Sequence, residues 1–437
     1  MNTRVLSSST IVREFQKIDV HPEGIRLMEP KSRLYCVKIS GINIKQANVL
    51  KQEALAVGAD AAVPYSVLNL QDRPVDVILI ANFKQYRKLA EKLKHQFFNL
   101  KEAGKNILEV IRRYEMPAFQ FSISKGRVRI KDFMLMGILN ITPDSFSDGG
   151  KYYNDIGLAV DRAMEMESEG AEIIDIGGES SRPDAKVVDE EEEIKRVIPV
   201  IKAVRKKTKC LISCDTSRYN VAKLAIEYGA DIINDVYALR RDSKLCKLIA
   251  EKKCGLILMH MKGTPQTMQK NPHYGDVIGE ICEFFRERIE FASHNGIEKD
   301  KIIIDPGIGF GKRIFDNLEI IHRLREFTCF GLPILLGTSR KSFIGRIAGD
   351  VPPEARLGGT IASCVAGYIQ GARIFRVHDV KEIVQALKVI SGITNYGKNE
   401  SSRRPGRPAR DWPRQGAMPP SAGRRSAGRP GADGGRR

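Results

Sequence analysis

Gly137-Ile-Leu-Asn-Ile-Thr-Pro-Asp-Ser-Phe-Ser-Asp-Gly-Gly150 decides how this chain is read. It continues an apolar run over 133–141, the length of a buried strand. The strand runs into a loop of polar and turn-forming residues, with Asn140, Thr142, Asp144, Ser145, Ser147 and Asp148 closed by two glycines. Such a loop has no obvious packing role. Loops held by a rigid strand are where binding and catalytic groups concentrate.

The same cadence repeats downstream. Strands are expected at 133–141, 172–177, 210–215, 231–235, 255–260, 301–305, 333–338 and 373–378. Helical patterns follow at 155–169, 189–207, 218–228, 243–253, 276–295, 317–327, 360–370 and 380–391. Eight strand-helix units in about 260 residues have the size of a (β/α)8 TIM barrel. A doubly wound open sheet is the alternative, but eight units in one run usually close.

Upstream, residues 1–115 read as a small α/β domain. Its strands are expected at 33–40 and 75–81, and its helices at 44–57, 83–96 and 100–114. No catalytic constellation occurs there, and His21 and His95 read as surface residues. Residues 119–130 alternate and turn at Lys125-Gly126, a β-hairpin placed to plug the base of the barrel. The barrel is expected over 116–397.

Downstream of Lys398 the composition changes. Residues 399–437 contain no Ile, Leu, Val, Phe or Lys and are mainly Arg, Gly, Pro, Ala and Ser. Such a segment cannot form a core, so 398–437 is expected to be a disordered basic tail. It reads as a solvated extension or the product of a frameshift rather than an RNA-binding arm.

Charge agrees with that division. The net charge is +18, of which 398–437 supply +8 from ten Arg, one Lys and three acids. The remaining 397 residues carry about +10, too modest to argue for nucleic acid beyond nonspecific binding by the tail. No apolar run reaches membrane-span length, and the polar N-terminus lacks a signal-peptide apolar region, so a cytoplasmic location is expected. Eight cysteines occur without a CxxC pair or zinc spacing, and read as reduced thiols.

In a TIM barrel the active site lies at the C-terminal ends of the strands. Those ends carry Asn140, Asp175 with Glu179, Asp215, Asn234, His260, Asp305, Ser339-Arg340-Lys341, and Arg376 with His378. Any one could be a helix cap or turn residue; eight in register point to one polar pocket. Asp215, Asn234, Asp305 and Lys341 combine donors and acceptors suited to a flat heterocycle with amino and carbonyl edges. Asn140, Arg182, Arg376 and His378 are cationic apart from one amide, which suits a diphosphate. Asn140 can also ligate Mg2+, a common companion of pyrophosphate.

These residues resemble the dihydropteroate synthase family. The resemblance rests on the 140–150 loop, Gly177-Gly-Glu-Ser-Ser-Arg-Pro183, Cys214-Asp-Thr-Ser217, Ile233-Asn-Asp-Val236, Leu258-Met-His-Met261, Asp305-Pro-Gly-Ile-Gly-Phe-Gly-Lys312, Ser339-Arg-Lys-Ser342 and Arg376-Val-His-Asp379. It implies a transferase of folate biosynthesis that joins 6-hydroxymethyl-7,8-dihydropterin diphosphate to p-aminobenzoate, releasing pyrophosphate, and that is a sulfonamide target. By that resemblance Asp215, Asn234, Asp305 and Lys341 hold the pterin. Asn140, Arg182, Arg376 and His378 hold the diphosphate, with Asn140 on Mg2+. Phe146, Ser181, Arg182, Pro183, Phe310 and Ser342 shape the p-aminobenzoate slot. Asp215, Lys341, Arg376 and His378 are the implied catalytic residues, and a homodimer is the family expectation. One departure is Asp184, an acid where the family has a flexible residue; residues 1–115 lie outside the usual enzyme core.

Two other readings compete. A pterin-dependent corrinoid methyltransferase would share the Asp215, Asn234 and Asp305 floor but has no need of the diphosphate group. A non-catalytic pterin or RNA binder would need neither a Mg2+ site nor covering loops.

Overall fold

The computed structural model describes residues 3–67, 69, 73–142, 155–179 and 188–396. Residues Met1–Thr394 form one compact unit. The expectations for 143–154, 180–187 and the basic tail lie outside the described residues.

Two short helices, α1 (Ile11–Lys17) and α2 (Pro22–Met28), precede β1 (Leu34–Ile42), α3 (Ile44–Ala56), β2 (Asp60–Ala62), β3 (Val75–Asn82), α4 (Phe83–Leu93) and α5 (Leu100–Glu115). The strands form an antiparallel sheet in the order β1-β3-β2. Asn43 and Asn82 start α3 and α4 with capping boxes closed by Gln46 and Gln85, which satisfy otherwise orphaned N–H groups. Leu50, Leu79, Tyr86 and Leu89 are buried in a core of their own. The sequence carries no clear signal for α1, α2 or β2; the last is only three residues long and shows no apolar alternation.

The hairpin consists of β4 (Gln120–Ile123) and β5 (Gly126–Arg129). Ile123 pairs with Gly126, so its two-residue loop is Ser124-Lys125 rather than Lys125-Gly126. Phe121, Ile123 and Ile130 pack among Met134, Ile173, Ile232, Ile257, Ile303 and Ile374, at the starts of the barrel strands. The barrel is therefore closed by apolar side chains at this end.

Eight parallel strands follow: β6 (Met134–Asn140), β7 (Ile173–Gly177), β8 (Leu211–Asp215), β9 (Ile232–Asp235), β10 (Gly255–Met259), β11 (Ile302–Asp305), β12 (Leu335–Leu336) and β13 (Ile374–Val377). Their order is β11-β10-β9-β8-β7-β6-β13-β12. A bridge between Ile304 and Ile334, with the Ile304 N–H donating to the Pro333 carbonyl at 3.1 Å, joins the two ends into a barrel. Strand β12 is far shorter than the expected 333–338. Pro333 has no N–H to donate, and Gly337 has no side chain to pack.

The outer helices are α6 (Ile156–Glu169), α7 (Glu190–Arg205), α8 (Tyr219–Glu227), α9 (Ser243–Lys252), α10 (Val277–His294), α11 (Ile314–His322), α12 (Ser342–Ile347), α13 (Leu357–Ile369) and α14 (Val380–Thr394). Asp155, Asp189, Asp242 and Asp276 cap α6, α7, α9 and α10 through their carboxylates. The helix expected at 317–327 starts earlier, at Ile314, and gives way to a 3-10 helix over Leu324–Phe330. Phe315 points to solvent, while the 3-10 turn buries Leu324 and Phe327. The α12 turn was not expected.

Candidate active site

Neighbouring strand ends share a rung of the barrel. Asn140 pairs with Gly177, Gly177 with Asp215, and Asp215 with Asn234. Residues on one rung of a parallel sheet point the same way. Asn140, Asp215 and Asn234 therefore meet at one mouth. Gly177 keeps it open, because a Cβ there would come within 3.3 Å of the Asp215 Cβ.

The last strand contributes the central cation. Arg376 donates from Nε to Asp175 Oδ2 at 2.6 Å and from Nη2 to Asp215 Oδ2 at 2.9 Å. Asn234 Nδ2 donates to the same Asp175 oxygen at 3.3 Å. The expected heterocycle floor and diphosphate rim are thus joined through one guanidinium. Burial pushes the Asp215 carboxyl up to about 8; Arg376 opposes this, and Asp175 adds to it by repulsion.

Asp305 is buried at the end of β11, and its Oδ1 accepts the Gly307 N–H at 2.7 Å. Lys341 reaches the Ile308 carbonyl and lies over the Phe310 ring, 4.7 Å from its centroid. Burial pushes its ammonium down to about 8, with Asp305 opposing and Arg376 contributing. Burial in turn raises the Asp305 carboxyl, against the pull of Lys341. Gly337 lies beside both groups: a Cβ there would be in ordinary contact, 3.7 Å from the Arg376 Cβ and 3.9 Å from Lys341 Nζ.

The Ser339-Arg340-Lys341 turn sends its three side chains to different places. Ser339 Oγ lies 2.9 Å from His378 Nδ1 and accepts the His378 backbone N–H at 3.2 Å. Arg340 adopts a left-handed backbone with φ of 55°. It turns away from the pocket to pair with Asp379, its Nε 3.0 Å from Oδ2. Thr360 Oγ1 accepts its N–H and Arg356 donates to its carbonyl, so the strained turn is held from outside. Ser342 is the exposed first residue of α12, and Phe310 is half-buried.

His260 does not join the pocket, contrary to the reading of strand ends. Its ring packs edge-on against Phe284 of α10, with centroids 4.8 Å apart. Lys312, for which the sequence suggested no role, is buried beside it. The Lys312 ammonium lies 2.9 Å from His260 Nδ1 and donates to the Phe310 carbonyl at 3.0 Å. This contact ties the glycine-rich loop to the end of β10. Phe146, Ser181, Arg182, Pro183 and Asp184 lie outside the described residues.

Among the described residues no group of three or more His, Cys, Asp or Glu could hold a metal ion. Mg2+ bound through substrate phosphates needs only one or two protein oxygens, the rest being water. The half-buried amide of Asn140 fits that requirement.

The family model described as "Pterin binding enzyme" matches residues 136–378, more than half of the chain. The chain belongs to the pterin-binding enzyme family. Within that family it is similar to the dihydropteroate synthases. It is 46% identical over 266 residues to that of Escherichia coli (strain K12), covering 61% of this chain and 93% of that protein. A probable bifunctional folylpolyglutamate synthase/dihydropteroate synthase of Halobacterium salinarum is 37% identical over 375 residues, 86% of this chain and 44% of that protein. That match is longer than the barrel and extends into residues 1–115. The Yersinia pestis dihydropteroate synthase, solved with a sulfonamide drug complex, superposes with a TM-score of 0.61 at 40% identity, covering 63% of this chain and 99% of that one. The Xanthomonas albilineans enzyme, solved with 7,8-dihydropteroate, gives 0.56 at 37% identity over 63% and 98% of the two chains.

The glycine-rich loop gives a direct test of this geometry. Gly307 has φ of +68°, and a Cβ there would meet the His260 carbonyl oxygen at 2.0 Å. Gly307→Ala should lower stability by about 2–4 kcal/mol from strain and overpacking together. Gly358→Ala, in α13 where a Cβ meets nothing within 4 Å, should leave stability unchanged or raise it by up to about 1 kcal/mol. Urea unfolding of both variants measures this; equal midpoints would contradict the close approach.

Proposed function

We propose that this chain is a transferase that condenses 6-hydroxymethyl-7,8-dihydropterin diphosphate with p-aminobenzoate, giving 7,8-dihydropteroate and pyrophosphate. The carrying observation is one guanidinium, Arg376, shared between carboxylates at the mouth of a pterin-family barrel. Asp215, Asn234, Asp305 and Lys341 bind the pterin ring through its donor and acceptor edges. Arg376 and His378 take the diphosphate, with Asn140 and Arg182. Phe146, Ser181, Arg182, Pro183, Phe310 and Ser342 surround the p-aminobenzoate.

The methylene carbon–oxygen bond breaks and pyrophosphate leaves with the bonding pair. Arg376 and His378 stabilise the negative charge that grows on the leaving oxygen. The electron-rich dihydropterin spreads the positive charge left on the methylene, and the Asp215 carboxylate supports that cation. The neutral aromatic amine supplies the lone pair of the new carbon–nitrogen bond and then loses a proton to solvent. Asn140 would be the protein ligand of Mg2+, which would neutralise charge on the diphosphate when bound. Lys341, held over Phe310, orients the ring beside the amine's approach.

A cytoplasmic location fits eight free cysteines. A homodimer fits the exposed Phe315 and Leu318 on α11 and Ile347 on α12.

Purified protein should release pyrophosphate from the pterin diphosphate only when p-aminobenzoate and Mg2+ are both present, with a sulfonamide competing against p-aminobenzoate. Equal release without the amine would contradict a condensation.

The pH profile of kcat/KM should have two limbs. Asp215, pushed up to about 8, must lose its proton to support the cation, so activity rises towards that pH. Lys341, pushed down to about 8, loses its charge above it, so activity then falls. Lys341→Arg keeps its charge and should move only the alkaline limb, to above about pH 9. An unmoved alkaline limb in this variant would assign the decline to another group.

A further inference from the structure

Asp175 has no part in the mechanism above, yet it touches two of its residues. Its Oδ2 accepts from Arg376 Nε at 2.6 Å and from Asn234 Nδ2 at 3.3 Å. It pairs in register with Ile138 and Ser213, one inward position below Gly177. Its side chain is fully sealed, at 0% exposure, whereas that of Asp215 retains 17%. One guanidinium is therefore held by two carboxylates of different accessibility. The other Asp175 oxygen, Oδ1, is buried with no partner among the described residues. A carboxylate kept only for stability would be expected to satisfy both oxygens, since an unpaired buried acceptor costs about 1–3 kcal/mol.

The asymmetry has a consequence for binding. A ligand entering the mouth can compete for Asp215 but cannot reach Asp175. An N–H-bearing ring that takes the Asp215 carboxylate removes one anchor of Arg376 and leaves the other intact. The guanidinium has five N–H donors, and the Asp175 bond uses only the Nε proton. Its Nη nitrogens become available together, on a side chain that stays fixed.

We propose that Asp175 is a positioning residue: it holds Arg376 by Nε while the pterin ring displaces Asp215, so that the Nη edge of Arg376 is presented to the diphosphate. The same oxygen also accepts from the Asn234 amide at 3.3 Å, the longer and weaker of its two contacts. The inference rests on the functional reading given above and deepens it.

The test uses the full chain. Wild-type protein must first form dihydropteroate; if it does not, the functional reading fails and Asp175 is not in question. Asp175→Asn keeps the shape and removes the charge. Pyrophosphate inhibition and the KM for the pterin diphosphate should weaken by about 10- to 100-fold, the loss usual when the group supporting a ligand contact is removed. Binding of 6-hydroxymethyl-7,8-dihydropterin, which lacks the diphosphate, should change by less than about threefold, below one tenfold step of affinity. The acid limb of kcat/KM should move to lower pH, because Asp215 loses an anionic neighbour. A merely structural Asp175 would lower the melting temperature, weaken both ligands equally and leave the limb in place; that result overturns the proposal. Should the variant fail to fold, a crystal structure of the wild-type protein with the pterin diphosphate decides. Arg376 Nε still bonded to Asp175, with Asp215 turned to the ring, supports the proposal, and Nε detached from Asp175 overturns it.

Discussion

The site depends on one charge in the barrel mouth. Arg376 is held by Asp175 and Asp215, which lie 201 and 161 residues away in sequence. A guanidinium removed from water is costly unless it is paired and hydrogen-bonded. Here the pairing links the last strand, β13, to β7 and β8 across β6. The charges are matched only when the last strand has docked beside the first. Closure of the sheet and assembly of the pocket are thus one event, and the polar mouth adds a specific requirement to the apolar closure of the barrel.

The rest of the architecture serves that mouth. The hairpin seals the opposite end with Phe121 and Ile123, so the ligand site has one side of approach. A glycine makes space where neighbouring strands crowd, at Gly177 beside Asp215. Two supports fix the loops from behind. Lys312 ties the glycine-rich loop to His260, and Asp379 with Thr360 holds the left-handed Arg340 that turns Lys341 inward.

Much of this was legible in the sequence. The strands are dense in Ile and Leu and bounded by polar turns, so their positions were read to within a residue or two. Only β12 fell well short, where Pro333 and Gly337 break the ladder. That Asp215, Asn234, Asp305, Lys341 and Arg376 come to the same end of the barrel was readable, because parallel strand ends converge. What failed to show was orientation. His260 sits at a strand end like the others, yet it faces α10, and a run of letters does not say which side a terminal residue takes. The supports were hidden for a related reason. The contacts of Asp175 with Arg376 and of Lys312 with His260 join residues far apart in sequence, and neither pair carries a local pattern. The N-terminal elements were visible as an α/β unit, but α1 and α2 contribute no buried residues and left no strong periodicity.

In the pocket we propose, a heterocycle floor and a diphosphate rim meet at one arginine. Calorimetric titration of two variants, each with 6-hydroxymethyl-7,8-dihydropterin and with Mg2+-pyrophosphate, tests it most directly. Asp305→Asn should abolish binding of the ring and retain that of pyrophosphate, while Arg376→Gln should lose pyrophosphate first. Equal loss of both ligands in both variants would contradict the division.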